Sequence, residues 1–135
     1  MQRQLGERIR ILLVDDHEHV LWGLGKLIES EEPGMVVVGT ARTVSEALEA
    51  IREHKPDVVL LDIYLGEENS IDHLPQFLGT KGLTVLILTG SNDTKLHRRA
   101  IESGAMDVIT KGAPAQDLLD QIRRAYNASN ARRLV

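Results

Sequence analysis

The chain has 135 residues, the length of one ordinary domain. Apolar residues make up 42% of it and charged residues 27%, so we expect a soluble globular domain with a buried core. With a net charge of −4 the chain by itself is expected to be a poor nucleic-acid binder, and the lack of cysteine excludes disulfides, thiolate catalysis and thiolate metal sites. No run of residues resembles a membrane span or a signal peptide, so we expect a cytoplasmic protein without membrane contact.

Five short apolar segments predict β-strands. Four of them are rich in Val and Ile and lack alternating polar residues, which is typical of strands buried on both faces of a parallel sheet. The fifth is shorter and its pattern is weaker. The predicted strands span residues 9–14, 35–38, 58–61, 85–88 and 107–109.

A segment with helical periodicity follows each predicted strand. Apolar residues three and four positions apart give each segment one apolar stripe that can cover the sheet. The stripes fall at residues 20–28, 47–51, 71–78, 96–101 and 118–126. The order of strand then helix, five times over, predicts a doubly wound α/β fold: an open five-stranded parallel sheet with helices on both faces.

Local signals mark several helix ends. Thr43 and Glu46 have the spacing of a capping box at the start of the second helix. Gly104 indicates the end of the fourth helix, and Pro114 suits the first turn of the last. Gly23-Leu24-Gly25 lies within a helical stripe, and we interpret it as a packing feature rather than a phosphate-binding loop.

Residues with useful chemistry follow four of the five predicted strands. Asp15 and Asp16 follow the first strand, Asp62 the third, Thr89 the fourth and Lys111 the fifth. The carboxyl ends of parallel strands share one edge of the sheet, where such folds form their sites. If the first and third strands are neighbours, three carboxylates converge there and favour a cation between them. Mg2+ fits best because it combines carboxylate, water and phosphate oxygens, so the set suits phosphoryl transfer.

Four motifs give the chain a resemblance to the receiver domain of bacterial two-component response regulators. Their order and spacing are highly specific when taken together, and the match extends from about residue 9 to residue 126. The motifs are Leu13-Val14-Asp15-Asp16, the run from Pro56 to Asp62, Leu86-Ile87-Leu88-Thr89, and the run from Gly104 to Lys111. The run Val14-Asp15-Asp16-His17 with Gly23-Leu24 is similar to the NarL/LuxR-type subfamily, whose members carry a C-terminal DNA-binding domain.

The resemblance implies a flavodoxin-like fold with strand order 2-1-3-4-5 and a role in phosphorelay signal transduction. Asp62 would be the phosphoacceptor, a sensor histidine kinase would be the donor, and Thr89 and Lys111 would bind the phosphoryl group. The implied Mg2+ ligands are Asp15, Asp16, Asp62 and the backbone carbonyl of Tyr64. Such a domain is mainly a signalling switch, which catalyses its own aspartyl phosphorylation and slow dephosphorylation and controls an output such as transcription.

The same resemblance implies a receiver domain over residues 1–126. Residues 127–135 are polar and then basic, which is typical of a fraying tail or the start of a linker to an output domain absent from this chain. Contact with DNA would come only through that output domain. The stripes at residues 20–28 and 118–126 either cover the sheet or form a homodimer surface, and covering the sheet is the expectation for most positions.

The chain departs from the family pattern at three places, and two of them, Val108 and the loop 65–70, favour an alternative, a degenerate receiver that binds proteins without being phosphorylated. Val108 stands where an aromatic residue usually precedes the lysine, so an inward-swinging ring is not expected. The loop 65–70 is acidic and lacks the usual Met-Pro and glycine, and Gly112 stands where a proline is common. The retained aspartates, threonine and lysine argue against this alternative.

The sequence gives less support to two other kinds of site. A haloacid-dehalogenase-like phosphatase would need a second aspartate two residues after its nucleophile, and Tyr64 occupies that position. A metal site formed by His17 and His19 is not expected, because residues two apart do not share a helix face.

Overall fold

A computed structural model of the chain describes residues 8–31 and 33–133, with side chains as far as residue 130. Within these residues the main sheet is formed by β1 (Ile9–Val14), β2 (Met35–Ala41), β3 (Val58–Leu61), β6 (Thr84–Thr89) and β7 (Asp107–Thr110). A short antiparallel hairpin consists of β4 (Tyr64–Leu65) and β5 (Glu68–Asn69). The helices are α1 (Glu18–Glu29), α2 (Val44–His54), α3 (Leu74–Leu78), α4 (Thr94–Glu102) and α5 (Ala115–Arg133).

The main sheet has the predicted topology. Its strands lie in the order β2-β1-β3-β6-β7, which is 2-1-3-4-5 once the hairpin is left out. Every neighbouring pair in this sheet is parallel, as Val14 with Leu61 and Thr89 with Thr110 illustrate. All five carboxyl ends therefore lie along one edge, and the prediction of a doubly wound α/β fold is confirmed.

The sheet is buried on both faces because alternate strand side chains point to opposite sides. Leu12 belongs to the core on the face covered by α2, α3 and α4. Its neighbour Ile11 belongs to the core on the other face, where Ile28 of α1 and Leu118 and Ile122 of α5 pack. The apolar stripes of the first and last helices thus cover the sheet, as expected for most of their positions.

Two strands extend one residue beyond their predicted ends, at Thr84–Thr89 and Asp107–Thr110, and three larger differences concern other elements. β2 continues to Ala41, whose carbonyl accepts the N–H of Asp15 at 3.1 Å and so extends the pairing beyond residue 38. The third helical segment begins as a 3-10 turn at Ser70–His73, and Pro75 stands in the first turn of the short α3 that follows.

The third difference concerns the C-terminal segment. α5 continues to Arg133, so residues 127–133 are helical rather than a frayed tail, and the division of the chain at residue 126 stays a prediction. In the described part of the chain, none of the helices combines the length and hydrophobicity that crossing a bilayer requires.

The predicted helix ends are largely confirmed. The Oγ1 of Thr43 accepts the N–H of Glu46 at 3.1 Å, and the Oε1 of Glu46 accepts the N–H of Arg42 at 3.0 Å, one residue earlier than in the usual capping box. Gly104 follows α4 with a φ of 114°, a left-handed conformation that favours glycine. Pro114 lies just before α5 instead of in its first turn, and its carbonyl accepts the N–H of Leu118.

Within Gly23-Leu24-Gly25, Leu24 packs against the core, but the two glycines are not needed for that packing. A Cβ added at Gly23 or Gly25 would meet no described atom within 4 Å. Close packing therefore does not require either glycine, and both lie in the interior of α1.

Candidate functional site

Two buried carboxylates stand side by side at the carboxyl edge of the sheet. Val14 of β1 pairs with Leu61 of β3, so the residues that follow them, Asp15 and Asp62, leave the sheet at the same level. The N–H of Asp62 donates to the carbonyl of Val14 at 2.9 Å, which carries the pairing one residue beyond β3. Asp15 is 2% exposed and Asp62 is 7% exposed, so each carboxylate needs a partner inside the protein.

Lys111 provides that partner for both. It follows β7 directly, and its N–H donates to the carbonyl of Thr89 at 2.7 Å, which holds its backbone at the edge. Its Nζ donates to Asp15 Oδ2 at 2.8 Å and to Asp62 Oδ2 at 3.1 Å. The ammonium group at the end of β7 thus bridges two carboxylates, from the ends of β1 and β3.

Burial raises the pKa of the two carboxyl groups, and Lys111 lowers it. Burial would raise the pKa of Asp15, but the hydrogen bonds from Lys111 and His17 outweigh it and hold the pKa below its ordinary value of 3.8. Burial prevails at Asp62 and, with the charge of Asp15, raises its pKa above 3.8 despite Lys111. Burial would lower the pKa of Lys111, but both carboxylates outweigh it and raise that pKa, so Lys111 is charged at neutral pH.

Asp16 and His17 extend the carboxylate pair into a cluster. Asp16 Oδ2 accepts the N–H of Gly66 at 2.8 Å, whereas its buried Oδ1 accepts no hydrogen bond from the residues that the structure describes. One potential ligand atom from each member lies within 4.8 Å of those of the other three, and the members are Asp15, Asp16, His17 and Asp62. The three carboxylates carry more negative charge than Lys111 can neutralise, and one of their oxygens accepts no hydrogen bond from the described residues. Such a cluster fits a hard divalent cation such as Mg2+.

Thr89 and Tyr64 lie at this edge of the sheet in two different elements. Thr89 ends β6 and is buried, and its Oγ1 accepts the N–H of Ser91 at 3.1 Å. Tyr64 lies in the hairpin two residues after Asp62, with 53% of its surface exposed. A role for the Tyr64 carbonyl as a metal ligand stays a prediction.

Ser70 supports the site in a way that the sequence did not indicate. Its side chain is buried, and its hydroxyl donates to the carbonyl of Asp62 at 2.6 Å. Its N–H donates to the carbonyl of Ile63 at 2.7 Å. The sequence marks Ser70 only as part of the divergent 65–70 loop, and no periodicity connects it with Asp62. The contact depends on the hairpin, which returns the chain to the end of β3.

The sequence profile of the response regulator receiver domain matches residues 11–123. The chain belongs to this family. Response regulator VraR of Staphylococcus saprophyticus subsp. saprophyticus is 31% identical over 120 residues, which cover 88% of this receiver and 57% of the relative. The transcriptional regulatory protein LiaR of Bacillus subtilis is 33% identical over 118 residues, covering 87% of this receiver and 56% of the relative. The receiver spans little more than half the length of these relatives.

Solved structures agree with this assignment. A two-component response regulator of the LuxR family from Aurantimonas sp. SI85-9A1 shares 32% identity at a TM-score of 0.81, with 88% of this receiver and 85% of that chain covered. The response regulator domain of Thermotoga maritima CheB shares 33% identity at a TM-score of 0.79, with 88% and 96% covered. The predicted resemblance to LuxR-type receivers is confirmed.

Proposed function

We propose that this receiver is a phosphorelay switch in which Asp62 accepts a phosphoryl group from a phosphohistidine of a sensor histidine kinase. The observation that carries the proposal is the position of Lys111 Nζ, 3.1 Å from Asp62 Oδ2 and 2.8 Å from Asp15 Oδ2. A cation fixed beside the acceptor before the reaction stabilises the negative charge of the phosphoryl group as it is transferred.

Asp62 acts as the nucleophile. One of its carboxylate oxygens forms a bond to phosphorus while the bond from phosphorus to the histidine nitrogen breaks, and that nitrogen keeps the electron pair. Burial raises the pKa of Asp62, and Lys111 opposes that shift and so favours the anion that attacks. Ser70 holds the carbonyl of the same residue and limits its movement.

The carboxylate cluster would hold Mg2+ in this proposal. The ligands would be Asp15, Asp16, Asp62 and the backbone carbonyl of Tyr64. When bound, the ion offsets the negative charge of the phosphoryl oxygens. The N–H of Gly66 holds Asp16 through Oδ2, and its other oxygen, Oδ1, would be available to hold the ion.

Thr89 would report the phosphorylation to the rest of the domain. Its hydroxyl would donate to a phosphoryl oxygen, and because Oγ1 also accepts the N–H of Ser91, its reorientation would move the loop before α4. A shift from a mostly inactive to a mostly active state needs about 5 kcal/mol, which two or three charge-assisted hydrogen bonds supply. Val108 packs against the core in β7 and has no ring to swing, so this loop would carry the switch.

Incubation with a small phosphodonor and Mg2+, followed by intact-protein mass spectrometry, tests the proposal. We expect the mass of one phosphoryl group to be added to the wild type and to Asp57→Asn, which alters a carboxylate at the other end of β3. We expect no addition to Asp62→Ala. Addition that survives Asp62→Ala would contradict the assignment, and no addition to a folded wild type would favour a phosphorylation-independent interaction module.

The proposal extends to partners and output. LiaR, by its name, is a transcriptional regulatory protein, and it is longer than this receiver. We propose that the switch acts in the cytoplasm and controls transcription through a DNA-binding output domain that this chain does not include. We propose that phosphorylated receivers form a homodimer, and that this homodimer connects phosphorylation of Asp62 with the control of transcription.

A further inference from the structure

His17 stands in an unusual position for the residue that precedes a helix. It occupies the N-cap position of α1, but among the described residues its side chain makes no hydrogen bond to the first turn of that helix. The ring turns back instead, and its Nδ1 lies 3.0 Å from Asp15 Oδ1 and 3.0 Å from Asp16 Oδ1. The backbone N–H of His17 also donates to Asp15 Oδ1 at 2.9 Å.

These distances are those of a hydrogen bond and an ion pair, and they also equal the spacing of neighbouring ligands around one metal ion. In an octahedral site with bonds of about 2.1 Å, adjacent ligand atoms stand about 3.0 Å apart. His17 Nδ1 meets that spacing toward two carboxylate oxygens, and one of them, Asp16 Oδ1, accepts no hydrogen bond within the described chain. The side chain of His17 is 56% exposed, so the ring has space to adjust its position.

We propose that His17 is a ligand for transition-metal ions and that it raises the affinity of this Mg2+ site for them relative to Mg2+. The inference rests on the proposed function, since it adds a nitrogen to the same carboxylate cluster. Imidazole nitrogen suits late first-row ions such as Co2+ and Ni2+, whereas Mg2+ prefers oxygen and keeps its water. The hydrogen bond to Asp15 needs the ring proton on Nδ1. When the neutral ring carries its proton on Nε2 instead, that hydrogen bond is lost and the Nδ1 lone pair is available to the metal ion.

The neighbouring histidine provides a matched control. His19 is also near the start of α1, and its ring centroid lies 5.8 Å from that of His17 in an edge-on arrangement. His19 does not belong to the four-residue cluster found among the described residues. His19→Gln therefore removes an imidazole from the same surface while the proposed ligands remain.

The experiment is calorimetric titration of the full chain with Co2+ and, separately, with Mg2+. We expect His17→Gln to weaken Co2+ binding by at least about tenfold and to change Mg2+ binding by less than about threefold. We expect His19→Gln to leave both affinities unchanged. The visible absorption of bound Co2+ gives a second readout, and its bands should move to lower energy in His17→Gln as a nitrogen donor is replaced by oxygen.

The outcomes separate this inference from the proposed function. Unchanged Co2+ affinity and absorption in His17→Gln overturn the role of His17, while Mg2+ binding that is lost in Asp16→Asn still supports the acidic site. Equal weakening by His17→Gln and His19→Gln also overturns it, because the effect would then belong to surface histidines. A wild type that binds neither ion contradicts both the inference and the Mg2+ site.

Discussion

At the scale of single residues, Lys111 has a large expected effect on stability. Its removal in Lys111→Met leaves Asp15 and Asp62 facing each other, both buried and without their shared cation. Breaking a buried ion pair in this way costs about 3–5 kcal/mol. We expect that loss in the free energy of unfolding measured with urea at pH 7 without metal.

Added Mg2+ should return more of that stability to Lys111→Met than it adds to the wild type, because the ion can replace the missing positive charge. Lys95→Met is the control, since Lys95 is exposed on α4 and should behave like the wild type in both conditions. An unfolding free energy of Lys111→Met equal to that of the wild type would show that the two carboxylates do not need the ammonium.

Removing the charge of Asp62 should stabilise the protein, whereas removing that of Lys111 should destabilise it. Burial raises its pKa in the folded state above the ordinary 3.8, so the folded form takes up protons more readily than the unfolded form. Its charge therefore lowers stability at pH values above the folded pKa, and this cost disappears below pH 3.8. Asp62→Asn carries no charge, and Asp15 still pairs with Lys111.

We expect Asp62→Asn to raise the melting temperature by a few degrees at pH 7, with a gain that shrinks as the pH falls toward 4. Thermal unfolding across that pH range provides the measurement. Asp120→Asn, on the exposed side of α5, should show no such dependence. A gain that stays constant with pH would locate the effect outside the ionisation of Asp62.

At the scale of secondary-structure elements, two glycines have opposite expected effects. Gly23 lies in α1 with no described atom within 4 Å of an added Cβ, so Gly23→Ala should stabilise the protein by about 1 kcal/mol. Gly104 ends α4 with a φ of 114°, and a Cβ there would collide with Leu78, so Gly104→Ala should cost about 1–3 kcal/mol. Urea unfolding of both variants checks the signs, and destabilisation by Gly23→Ala would show that α1 needs that glycine.

At the scale of the whole molecule, the two faces of the sheet limit how the receiver can pair. The apolar stripes of α1 and α5 are used in the core, so a homodimer through these helices would use their outward residues, such as Trp22, which is 68% exposed. We expect sedimentation equilibrium with beryllofluoride and Mg2+ to shift the wild type toward twice its monomer mass. Asp62→Ala should remain monomeric, and equal masses of the wild type with and without the mimic count against phosphorylation-driven pairing.

The sequence by itself determined the buried strands, the helices between them and the residues at each strand end. Apolar runs without alternation indicated strands covered on both faces, and the stripe spacing indicated helices that cover them, because both signals come from residues close together in the chain. Family motifs then supplied the strand order. The same local signals missed the hairpin at 64–69, whose two-residue strands are too short to show any period.

Only the tertiary structure decided which of these side chains meet. Lys111 lies 96 residues from Asp15 in the chain, and Ser70 contacts Asp62 only because the hairpin turns the chain back. His17 looked unsuitable as a metal ligand when it was paired with His19, yet its ring faces two aspartates instead. Such contacts depend on strand register and on the rotation of each side chain at its strand end, and packing across the whole sheet sets both.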